Sequence, residues 1–216
     1  MDKQTLPFSL GRAWIASGAF WILQLLFVVL FYTLGSPFGA LSDLSNALTT
    51  LLVLPTGFAL YRITKGSAPL LSRLTLITGL VGILSNSIAS FLILLGIISF
   101  AQSLPPIVVG YAAFGVWLAS ISWLLRRHEL APAGGTAGGM VIGTTLGTIG
   151  LIGPSINAGL FTGGGVAALF SNPLMYVVLP LFPVGYFGYP LWVIWSGRRL
   201  LAGRVSVGRS SAREER

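Results

Sequence analysis

The 216 residues are 54% hydrophobic and 8% charged, with a formal net charge of +8 and a mean hydropathy of +0.86. These proportions exclude an ordinary soluble domain, in which about a quarter of the residues are charged. The absence of cysteine excludes disulfides, thiolate metal sites and cysteine nucleophiles.

Uncharged apolar runs occupy residues 14–34, 44–61, 74–99, 106–125, 138–161 and 174–195. Each is close to the roughly 20 helical residues that cross a hydrocarbon core. The runs are apolar on every side rather than alternating, which predicts helices rather than barrel strands. The expected fold is all-α, a polytopic integral membrane protein with six transmembrane helices over residues 1–197. Residues 198–216, rich in arginine and poor in apolar groups, are expected to be a disordered cytoplasmic tail.

The first run follows Asp2, Lys3 and Arg12 and is too long for the apolar region of a signal peptide, so it reads as the first span. Ser42 and Asp43 stand just before the second run. There a carboxylate can cap the free N–H groups of a helix, and the alternative is an ionisable site for a proton or cation. The third run carries Ser85-Asn86-Ser87 midway along its length. The fourth is followed by Arg126, Arg127 and His128, the histidine reading as a solvated loop residue. The fifth opens with Gly135, Gly139, Gly143 and Gly147. Their spacing of four aligns them on one helix face, a groove for close packing of another helix of the chain or, alternatively, of a second copy in a homo-oligomer. Further along, Gly153-Pro154-Ser155 with Asn157 predicts a break carrying polar groups. Before the sixth run, Asn172-Pro173 resembles half of the Asn-Pro-Ala signature of the aquaporins. Leu174 follows it, a second Asn-Pro is missing, and the pair reads as turn chemistry with proline opening the helix.

All 13 basic residues fall on one side of a six-span arrangement. The connections near 35–43, 100–105 and 162–173 carry none, so the positive-inside rule places both termini in the cytoplasm. Trp14, Tyr61, Trp123, Trp192 and Trp195 lie towards the basic ends and Tyr32, Tyr111 and Tyr176 towards the others, as interfacial anchors would. Gly110-Tyr111 with Phe114 and Trp117 is faintly repeated as Gly185-Tyr186 with Tyr189 and Trp192, consistent with a duplicated hairpin.

Catalysis lacks its reagents. Six spans and a serine among glycines resemble the rhomboid intramembrane proteases, but their serine works with a membrane histidine, and the one histidine here is His128. The glycine-rich stretch has no lysine after its glycines for a phosphate loop, and no Gly-x-Gly-x-x-Gly after a strand for a dinucleotide. The expectation is a protein that is not an enzyme and uses no cofactor or metal. Its role is then association, scaffolding or sensing in the cell membrane, plasma or bacterial inner. The alternative is a small permease or channel for an uncharged or weakly polar solute, using Ser85, Asn86, Ser87, Ser155 and Asn157 as its path. The expected partners are the bilayer and anionic lipid at the basic ends, with no specific nucleic acid.

Overall fold

The computed structural model describes residues 5–131, 133–159 and 173–202, with side chains described over 10–131, 133–152 and 173–202. Among the described residues seven helices follow one another: α1 (Thr5–Leu34), α2 (Phe38–Thr64), α3 (Pro69–Leu94), α4 (Phe100–Arg127), α5 (Ala133–Gly159), α6 (Met175–Tyr186) and α7 (Gly188–Leu201). Among these residues six stretches are long and apolar enough to cross a membrane, the sixth being α6 and α7 together over Met175–Leu201.

The helices overrun the apolar runs because lysine and arginine at a helix end can keep their heads in water while their stems lie on apolar surface. Arg12, Arg62, Arg73, Arg126 and Arg198 are therefore helical, and α7 continues past residue 197 through Leu201. Three expected boundaries are corrected. The second helix opens at Phe38 rather than residue 44, since Gly35, at φ 79°, ends α1 with its N–H on the Phe31 carbonyl and leaves only a short turn. The fourth opens at Phe100 rather than 106, and residues 95–99 leave the third. Ser99 caps α4 by accepting from the Gln102 N–H at 3.3 Å, while the Gln102 side chain accepts from the Ser99 N–H at 2.8 Å. This capping box satisfies two end groups and carries the helix through Pro105 and Pro106.

The expected break in α5 is also absent: helix runs through Pro154 to Gly159, a proline removing one backbone donor without ending the helix. The sixth span, read as one run, is instead interrupted at Phe187.

Each helix packs on its neighbours in the chain, and α7 returns to pack on α1, closing a ring in sequence order. Short connections at 35–37, 65–68, 95–99 and 128–132 make neighbours antiparallel. Arg12, Arg62, Lys65, Arg73, Arg126, Arg127, Arg198 and Arg199 consequently share one end of the bundle.

The ring is sorted inside out. On α3, Leu70, Leu74, Ile77, Val81, Leu84 and Ile88 are 42–70% exposed, a continuous stripe at spacings of three and four. Ser72, Thr75, Gly79, Gly82, Asn86, Ser87 and Ser90 of the same helix are buried. Water would oppose this arrangement and a hydrocarbon solvent favours it, because apolar groups cost nothing on a lipid face and polar groups find partners inside.

Small residues set three close seams. A Cβ on Gly11 of α1 would lie 2.9 Å from the Gly197 carbonyl of α7, one on Gly82 of α3 would lie 2.8 Å from Phe114 Cα of α4, and one on Gly115 of α4 would lie 2.6 Å from the Gly143 carbonyl of α5. Among the expected interfacial aromatics, Trp123, Trp195, Tyr32 and Tyr176 do face outward, but Trp14 and Tyr111 are buried. The Trp14 ring lies 5.0 Å from that of Trp192, tilted by 48°. Ring area gained inside outweighs a place at the interface.

Candidate functional site

Where α1, α2, α3, α4 and the α6–α7 joint face one another, aromatic and polar side chains meet. Trp21, 1% exposed, lies 4.5 Å from Tyr189, 5.8 Å from Tyr186 and 6.0 Å from Tyr111, ring centre to ring centre. The two similar motifs face each other here: Tyr111 is 5.9 Å from Tyr186 and Phe114 is 5.5 Å from Tyr189.

Pro190 gives this centre its anchor. Lacking an N–H, it cannot bond the carbonyl four residues earlier, that of Tyr186. The Trp21 indole N–H donates to this same oxygen at 2.9 Å. The interruption at Phe187 and the tie between the first and last spans thus have a common origin.

Polar side chains extend the centre towards α2 and α3. The Asn46 amide donates to Ser90 Oγ at 2.8 Å, and its carbonyl oxygen accepts from the Tyr111 hydroxyl at a longer 3.4 Å. Gln24 reaches the same hydroxyl at 3.5 Å. Thr50 and Ser87 share a 2.6 Å hydroxyl contact. Ser17 donates to the Thr49 carbonyl at 3.1 Å and pairs with the Tyr189 hydroxyl at 3.2 Å. Such interhelical bonds contribute about 0.6 kcal/mol each in a membrane protein, so their number matters more than any one.

Of the expected solute path, the side chains of Ser85, Asn86 and Ser87 are the described ones. Ser85, Asn86 and Ser87 are successive helix positions and point about 100° apart. Ser87 faces α2, Asn86 is buried with its amide on the Gly82 carbonyl at 3.1 Å, and Ser85 lies on the outward side with Leu84 and Ile88. The side chains of Ser155 and Asn157 lie outside the described residues. Asp43 stands in the second turn of α2 rather than ahead of it, the N-cap being Pro37, so it does not cap the helix. It is half-buried, three residues before Asn46 on the same face. Of the spaced glycines, Gly139 and Gly143 press on Ser122 and Ala119 of α4, Gly147 sits beside Val116, and Gly135 lies at Trp195 of α7, its carbonyl accepting from Trp192 at 2.9 Å.

Sequence reasoning passed over Ser17 and Ser90, which look like ordinary span residues, and met Tyr186 and Tyr189 only as parts of a faint repeat. The available signal was Pro190 four residues after Tyr186, which announces a carbonyl in need of a donor. Among the described residues no group of three or more His, Asp or Glu side chains could hold a metal. No protein-family model, curated protein or solved structure matches this chain.

Proposed function

We propose that this is a multi-pass protein of the cell membrane, both termini cytoplasmic, that works without catalytic groups through association or sensing. The observation that carries the reading is the inside-out ring, in which the buried pairs Asn46–Ser90, Thr50–Ser87 and Ser17–Tyr189 bond to one another across helices. The basic residues gathered at one end support the orientation and suit contact with anionic lipid.

Because the chain has no cysteine, single cysteines report topology cleanly. Gly66→Cys, where a side chain meets nothing within 4 Å, and Ile97→Cys, 63% exposed, lie at opposite ends. In intact cells an impermeant maleimide is expected to label position 97 and to reach position 66 only after lysis. Labelling of position 66 in intact cells would reverse the orientation.

A second reading, a permease for an uncharged or weakly polar solute, is favoured by one observation. Asn86 Oδ1, Gln24 Oε1 and Thr49 Oγ1 are buried without a hydrogen-bond partner. The two readings separate in reconstituted vesicles challenged with polyols, amides and neutral amino acids. The expected result is influx equal to that of empty vesicles. Influx above that level, abolished by Asn86→Leu, would replace association with transport.

A further inference from the structure

The basic end of the ring holds a cavity of about 120 Å³ between α1, α2, α4, the start of α5 and α7. Its walls are Trp14, Leu60, Leu118, Ile121 and Trp192, and the one charged residue among the described lining residues is Arg199. An apolar cavity of about 150 Å³ in another protein takes up benzene, so this one suits a body of one ring or five to six carbons.

Arg199 is held for use. Its guanidinium lies 4.3 Å over the ring of Trp195. A contact with an aromatic face uses none of the guanidinium N–H donors, so they stay able to meet a carboxylate in a bidentate pair. The described lining residues include no aspartate or glutamate. Among the described residues this end carries eight basic groups and one acidic, the exposed Glu129. Apolar walls of one ring's size and a fixed cation at the rim are complementary to one kind of small molecule.

We infer that the cavity binds a small amphipathic monocarboxylate, its aromatic or short alkyl body among Trp14, Trp192 and Ile121 and its carboxylate on Arg199. The inference gives the sensing role a ligand class and takes from that reading only its setting. Topology labelling can fail while binding survives, and the reverse, so the two are separable.

The test is equilibrium binding of radiolabelled benzoate to the full chain in phosphatidylcholine vesicles. Saturable binding near one per chain is expected, competed by hexanoate but not by benzyl alcohol or inorganic phosphate. Arg199→Gln should weaken it at least about tenfold, the loss expected when a hydrogen-bonded charge pair is broken, and Arg199→Lys should weaken it less. Gly135→Leu should block it sterically, since a Cβ there meets Trp195 at an ordinary 3.5 Å and the longer side chain enters the cavity. If that variant does not fold, Ser196→Leu fills the same space from α7. Absent or non-saturable binding, equal competition by benzyl alcohol or phosphate, or affinity unchanged in Arg199→Gln and in the folded filling variant would each overturn the inference.

Discussion

Replacing Gly115 with leucine is expected to remove about 3 kcal/mol of stability or more, the upper part of the overpacking range, and to leave little folded protein at 37 °C. The reason lies in what the added atoms would meet. A Cβ on Gly115 would lie 2.5 Å from Gly147 Cα and 2.6 Å from the Gly143 carbonyl, and backbone cannot turn aside as a side chain can. Gly143 meets α4 in the same way, 2.8 Å from the Gly115 carbonyl and 2.9 Å from Ala119 Cα, so Gly143→Leu should behave alike. Gly66→Ala, in open space, is the matched control and should fall within about 0.5 kcal/mol of the parent. Unfolding by dodecyl sulfate in mixed micelles, followed by tryptophan fluorescence, measures all three. A Gly115→Leu protein as stable as the control would mean that α4 and α5 do not approach as described.

Trp21→Phe keeps an aromatic ring but deletes the N–H that the Tyr186 carbonyl accepts. A buried carbonyl left without a donor costs about 1–3 kcal/mol, and Trp21→Ala should cost about 3–5 kcal/mol through the cavity as well. The informative variant is the double one. Pro190→Ala supplies a backbone N–H four residues after Tyr186, so in its presence Trp21→Phe should cost at least about 1 kcal/mol less than in the parent, a coupling within the range seen for groups that share a partner. Additive effects in this cycle would show that the indole does not stand in for the donor that proline removed.

The number of spans was legible because apolar runs and basic clusters alternate along the chain, and both survive any detail of packing. Which side of each helix faces inward was not, since runs apolar all round carry no periodic mark. The inward side of α3 is recognised by Gly79, Gly82, Asn86 and Ser90 once α4 lies against it. Boundaries slipped where a local device outweighed hydropathy, as Ser99 with Gln102 did for α4. Asn46 and Gln24 are amides inside apolar runs, yet their meeting at Tyr111 joins positions 65 and 87 residues apart. Tyr111 itself was misplaced at the interface, because an aromatic residue partway along a span serves either place and only its partners decide. The Gly-Tyr motifs in the fourth and sixth runs were the part of the centre that could be seen, though nothing in the chain announced that they face each other.

The closure of the ring by α1 and α7 has a consequence for biogenesis. Trp21 and Ser17 leave the ribosome with α1, but Tyr186 and Tyr189 follow more than 160 residues later. At roughly 5–20 residues per second, the first span waits about 8–30 s for them. Through that interval its glycine seam and indole donor face lipid or translocon, so a nascent chain stopped before residue 186 presents an unclosed helix array.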